Sequence, residues 1–240
     1  MKIDILTLTG ADDTVEHQGL YDLTNRFPFV EWGILLSKSN QGVNRFPTKK
    51  WIYDLKVDKF DLKLSGHLCG KWVSDICRGN WSFLDDCPEF LGYFTRFQLN
   101  FHGYSHVIKN IDKFISGFKD PRLASCKQFI FQLDDVNNKI LDIAVKNEIN
   151  AVGLFDTSGG AGILPKNWQQ PYHEYCGYAG GLGPHNLKEQ MEELSKVVGD
   201  KTIWIDMETH IRDYVTDDFD YEKCRQCLEI GKNWMKKNLA

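Results

Sequence analysis

The chain has 240 residues, 42% of them hydrophobic, and a formal net charge of -4. That is enough apolar material for a barrel-sized core, and too little charge imbalance to favour nucleic acid or an anionic membrane as a partner. No apolar stretch approaches the roughly 20 residues that cross a bilayer, and strand-like sequence starting at Lys2 leaves no room for a signal peptide, so a cytoplasmic protein is expected.

Taken in chain order, alternating β-rich segments predict strands at 2–9, 29–37, 62–69, 96–101, 128–133, 151–155, 175–179 and 202–207. Helical spacing is clearest at 107–118, 137–148, 187–198 and 221–237, and Val15, Leu20 and Leu23 form a further apolar helical face after the first strand. Roughly eight strand–helix units with no Pro- or Ser-rich linker predict one (β/α)8 barrel over residues 1–240. Tryptophan, proline and glycine obscure the third helix between Gly79 and Phe94, and Trp72, Trp81 and Phe83 read as an exposed aromatic patch, either an interface or a lid. The seven scattered cysteines suit a reducing compartment. Cys224 and Cys227, in a helical segment with no second pair, read as structural.

The segment 151–187 is the most informative. Two apolar runs each stop at glycines: Gly159, Gly160 and Gly162 after the first, Gly180, Gly181 and Gly183 after the second. Such clusters mark backbone that turns sharply or approaches a ligand closely. Asp156 arrives at the carboxyl end of its strand, where parallel barrels place their sites. Strand alternation puts Asp206, Glu208, His210 and Arg212 on one face while the strand persists, and His67 with Cys69 on one face of the third strand. His67-x-Cys69 is either a proton-transferring pair or packing. Asp134 and Asp135 either face the barrel mouth or cap the following helix, and Glu31, early in its strand, is expected in a structural pair near the opposite end.

The glycine segments resemble those of phosphoribosylanthranilate isomerase, the tryptophan-pathway barrel. Asp156-Thr157-Ser158-Gly159-Gly160-Ala161-Gly162 is similar to that family's Asp followed by GGTG or GGSG, and Gly180-Gly181-Leu182-Gly183-Pro184-His185-Asn186-Leu187 to its GGLxPENV. Asn44-Arg45-Phe46-Pro47-Thr48 resembles the segment after its second strand, Gln98-Leu99 with His102-Gly103 its QLHG, and Ile205-Asp206 the VD of its final motif.

The resemblance implies an aldose-to-ketose (Amadori) isomerisation by acid–base chemistry, with Asp156 as general acid. It also implies a small phosphorylated substrate held by backbone amides around Gly159, Gly160, Gly180 and Gly181 and by the loop after strand eight. Arg45, Gln98, His102, Glu208 and His210 complete the substrate-binding set. No cofactor or metal is implied, and a monomer or homodimer is expected.

Two departures stand out. The family's KICGIT aligns with Ile5-Leu6-Thr7-Leu8-Thr9, so the catalytic cysteine is absent and the base must be relocated, with His67 or Cys69 as candidates. Glu208 stands where the family has small residues, and would repel a phosphate unless it points away or pairs with Arg212 or His210. A non-catalytic metabolite-binding descendant, or a metal-dependent hydrolase using His67, Cys69, Asp156, Glu208 and His210, are the alternatives.

Overall fold

A computed structural model describes residues 1–57, 61–133 and 137–237. Its strands are β1 (Lys2–Thr9), β2 (Val30–Ser37), β3 (Leu64–Cys69), β4 (Arg96–Leu99), β5 (Gln128–Leu133), β6 (Ala151–Phe155), β7 (Cys176–Tyr178) and β8 (Thr202–Met207). They pair in sequence order, all parallel, and β8 returns to β1 to close the barrel. This is the predicted (β/α)8 barrel. Closure leaves no strand edge open, and both faces of a strand are covered, which is why β2 is buried at every position.

The helices are α1 (His17–Arg26), α2 (Lys49–Val57), α3 (Lys71–Cys77), α4 (Ser82–Asp86), α5 (Ile111–Gly117), α6 (Asn138–Lys146), α7 (Leu187–Val198) and α8 (Tyr221–Lys237). α7 buries Leu187, Met191, Leu194 and Val198, and α8 buries Cys224, Cys227, Leu228 and Gly231, both at the three- and four-residue spacing of a single helical face. Cys224 and Cys227 are thus free core thiols, as expected of a structural pair. Gly231 lets α8 lie against β1, because a Cβ there would overlap the Leu6 side chain.

Two expectations need correction. The aromatic patch is not exposed: Trp72 and Phe83 are buried, stacked edge-on at 5.2 Å, and the Trp72 indole donates to Asp86 at 2.8 Å. Trp81 packs on Phe118 at 4.6 Å and fills the space beside Gly117. These rings join the split third crossover, α3 then α4, to the barrel. The repeat is also less regular than predicted, since β6 and β7 are joined without a helix by residues 156–175, the glycine-bearing loop. Asp134 and Asp135 lie outside the described residues.

The barrel interior is polar toward one end. Thr7 Oγ1 donates to Glu31 at 2.9 Å, and Arg96 pairs with Glu31 at 2.8 Å, reaches Gln128 at 3.1 Å, and lies 4.6 Å over the Trp204 ring. Glu31 thus makes the structural pair expected of it. One step nearer the carboxyl ends of the strands, Gly33 faces Thr9 and His67 so closely that a Cβ would strike both. Gly33→Ala is expected to lower stability by about 1–3 kcal/mol through overpacking, read by denaturant unfolding; an unchanged midpoint would contradict that close approach.

Candidate active site

At the carboxyl ends of the strands the barrel opens into a cavity of about 280 Å³. The residues given a catalytic or substrate-binding role in the sequence all line it: Asp156, His67, Cys69, Arg45, Gln98, His102, Gly159, Gly160, Gly180, Gly181, Glu208 and His210. The strand register explains the convergence, because His67 pairs with Gln98 across β3–β4 while β6 and β8 deliver Asp156 and Asp206 from the other side. Asn100, Gln132, Ser158, Asp206 and Thr209 also line the cavity and were not picked out as site residues.

Asp156 is held as an acceptor. Gln132 Nε2 donates to its Oδ2 at 3.0 Å, and Ser158 donates to its Oδ1 through the backbone N–H at 3.1 Å and the hydroxyl at 2.8 Å. Gln132 in turn accepts from the backbone N–H of His102, whose φ of 42° is left-handed. His102 is therefore fixed by its backbone as well as by the tight space beside Gly159.

The proposed replacement bases are in the right place with the wrong proton affinities. Burial pushes the Cys69 thiol up to about 12, despite the hydrogen bond from Asn100 Nδ2 at 3.2 Å. Burial, aided by the charge of Arg96, pushes His67 down to about 3. Near neutral pH Cys69 holds its proton and His67 does not take one, so neither suits proton exchange.

The group poised to exchange a proton is Asp206, 6% exposed. Burial and the neighbouring carboxyls Glu208, Asp156 and Glu31 raise it to about 8, against the opposing hydrogen bond from Thr9 Oγ1 at 2.7 Å. His67 Nδ1 stands 4.0 Å from its Oδ2. Thr9, at the end of β1, supplies the hydroxyl that holds Asp206. The sequence signal for Asp206 was its position two residues before Glu208 on a strand end; its depth in the barrel was not visible.

Glu208 pairs with neither Arg212 nor His210. Its Oε1 accepts from Arg45 Nη1 at 2.9 Å, and burial raises its proton affinity against that guanidinium. Arg45 is committed elsewhere too: Nε and Nη2 each meet Asp217 at 2.9 Å, and Nη1 reaches Thr209 at 3.2 Å. Arg45 therefore acts as a brace across the loops after β2 and β8, with one guanidinium hydrogen left over. Arg212 turns away into a buried pair with Asp12 at 2.8 Å and a bond to the Gly10 carbonyl.

The loop after β8 does not present a helix start to the cavity. It forms a three-residue 3-10 turn, Thr209–Ile211, and α8 begins later with its first amides, at Glu222 and Lys223, taken by Asp220 at 2.9 and 3.0 Å. Thr209 and His210 instead hold the glycine loop, donating to or sharing hydrogens with the carbonyls of Gly160 and Gly162 at 3.0 and 2.9 Å. Gly181, with φ 64°, lies so close to that loop that a Cβ would sit 2.5 Å from the Leu164 nitrogen. The two glycine clusters thus pack on each other. Among the described residues no group of three or more His, Cys, Asp or Glu side chains is arranged to hold a metal ion, and no helix is long and apolar enough to cross a membrane.

No sequence-family profile and no curated protein sequence matches the chain. Solved structures do match in fold. The chain is similar to phosphoribosyl anthranilate isomerase from Thermus thermophilus at 11% identity, over 98% of this chain and 100% of that one, with a TM-score of 0.56. It is similar to the Thermotoga maritima enzyme of the same name at 13% identity, over 95% and 99%, with a TM-score of 0.57. A truncated 3-deoxy-D-arabino-heptulosonate 7-phosphate synthase from Thermotoga maritima matches at 11% identity, over 99% and 87%, with a TM-score of 0.55. At these identities the likeness establishes the (β/α)8 barrel, of the kind built by phosphoribosylanthranilate isomerases.

Proposed function

We propose that the protein is an acid–base isomerase of the aldose–ketose type, acting on a small polar carbonyl substrate in the mouth of the barrel. The observation that carries this reading is Asp206, a buried carboxyl raised to about 8 on the cavity wall. General acid–base catalysis works best when the proton affinity lies near the operating pH, and burial among like charges is a costly arrangement typical of working sites.

The roles follow from what each carboxyl is bonded to. Asp206 holds a proton near neutral pH and gives it to the oxygen on the carbonyl side of the substrate. Asp156, which accepts from Gln132 and Ser158, takes the proton from the adjacent carbon. Asp156 then gives its proton to the former carbonyl carbon while Asp206 takes one back from the hydroxyl of the adjacent carbon, which completes a 1,2-shift without net oxidation. Relative to the sequence expectation, Asp156 changes from acid to base, and the relocated partner is Asp206 instead of His67 or Cys69. The isomerases named above are similar in fold, and that likeness supports the reaction class while leaving the substrate open.

The test is solvent exchange. Incubated in D2O with a panel of aldoses and amino-aldoses, the protein is expected to incorporate deuterium at C2 of at least one sugar, followed by NMR. Asp206→Asn and Asp156→Asn are each expected to slow that exchange by about 10²–10⁴-fold. Exchange at the wild-type rate in both variants would sink the reading.

A further inference from the structure

Several side-chain donors of the cavity wall are engaged inside the protein. Gln98 Nε2 donates to Asn100 at 2.8 Å, Gln132 Nε2 to Asp156, and Arg45 to Asp217, Glu208 and Thr209. The unfilled side-chain valences include acceptors. Gln98 is 4% exposed, lines the cavity, and its Oε1 has no hydrogen-bond partner among the described residues. A buried amide oxygen left in this state is destabilising unless a ligand or water supplies a donor.

The charges point the same way. Asp156, Asp206 and Glu208 face one cavity, and burial together with their carboxyl neighbours raises the proton affinities of Asp206 and Glu208. The guanidinium beside them is shared with a further carboxylate, Asp217. Phosphate brings only acceptors and negative charge. The backbone amides open to it around Gly160 lie beside Glu208, whose Oε2 would be 4.0 Å from a Cβ at that glycine.

We propose that the cavity binds its substrate through a protonated amine, received by Asp156 and Glu208 with Gln98 Oε1 as a further acceptor, and that it discriminates against phosphorylated sugars. The substrate class is then a small amino sugar or similar hydroxylated amine. This rests on the cavity being the reaction site described under Proposed function, and the two ideas can fail separately.

The experiment is calorimetric titration of the intact protein at pH 6.5 with D-glucosamine, D-glucose and D-glucose 6-phosphate. Glucosamine is expected to bind at least tenfold tighter than glucose, with glucose 6-phosphate weakest. Glu208→Gln, which leaves Arg45 its pair with Asp217, is expected to remove most of the amine preference while the thermal midpoint stays near that of the wild type. If Glu208→Gln does not fold, Asp156→Asn serves as the second variant with the same expected loss. Equal binding of glucosamine and glucose, tighter binding of the phosphate ester, or no saturable binding of glucosamine would each overturn the proposal. An amine preference without deuterium exchange on any amino sugar sinks only the isomerase reading. Exchange that depends on Asp206 without an amine preference sinks only this inference.

Discussion

Replacing Asp206 by asparagine is expected to stabilise the protein at pH 8 while removing its activity. In the folded chain Asp206 keeps its proton up to about 8, whereas an ordinary aspartate loses it near 3.8. Ionising it inside the barrel is therefore costly. Each tenfold change in proton affinity is worth about 1.4 kcal/mol, which bounds the cost at ~6 kcal/mol; we expect Asp206→Asn to recover roughly 2–4 kcal/mol of it at pH 8. The asparagine oxygen can still accept from Thr9.

The sign of the pH dependence follows from protons bound in each state. Between 3.8 and about 8 the folded state holds a proton on Asp206 that the unfolded state has released, so this group makes stability fall as pH rises. His67 works in the opposite sense: an unfolded imidazole takes a proton below 6.5, which buried His67 refuses down to about 3. Its depressed affinity makes stability fall as pH drops below 6.5. The two contributions cancel from 3.8 to 6.5 and leave a net loss of stability from 6.5 to about 8. Denaturant unfolding at several pH values is expected to show this decline in the wild type and to lack it in Asp206→Asn. A wild-type stability that rises from pH 6.5 to 8 would contradict the assignment.

The other large effect concerns the floor of the cavity. Arg96→Met is expected to destabilise by about 3–5 kcal/mol, because it strands the buried Glu31 carboxylate without its partner at 2.8 Å. Adding Glu31→Leu in the same chain removes the stranded charge, so the double variant is expected to recover much of the loss. Urea unfolding of both variants gives the comparison. A double variant no more stable than Arg96→Met alone would mean that the Arg96 contacts with Gln128 and Trp204, and not the ion pair, hold this layer together.

The barrel was legible because its signals are local. Alternation in KIDILTLT and the apolar spacing of α7 and α8 arise from neighbours in sequence, and a parallel strand followed by a helix repeats visibly. α2 escaped notice because it is short and, among the described residues, its buried face is Trp51, Ile52 and Leu55, although Thr48 Oγ1 accepts from the Trp51 amide and marks its start. Trp72 and Phe83 were misjudged because nothing near them in sequence reveals that the third crossover folds over them.

The site was legible as a place and less so as chemistry. Strand ends of a barrel converge, so marking Asp156, His67, Cys69 and Glu208 at strand ends placed them in one cavity. What they do depends on partners far away in the chain. Arg45 meets Asp217 across 172 residues and Thr9 meets Asp206 across 197, and no spacing rule reaches that far. Proton affinity depends on depth, which is why Cys69 and His67 looked reactive in the sequence and Asp206, named only as sharing a strand face with Glu208, was given no role.

The most direct measurement is a carboxyl-carbon NMR titration of Asp206, assigned by its disappearance in Asp206→Asn. A midpoint near 8 is expected. A midpoint in the ordinary aspartate range, at or below about 5, would mean that Asp206 carries no proton at neutral pH and would contradict its role as the acid of the site.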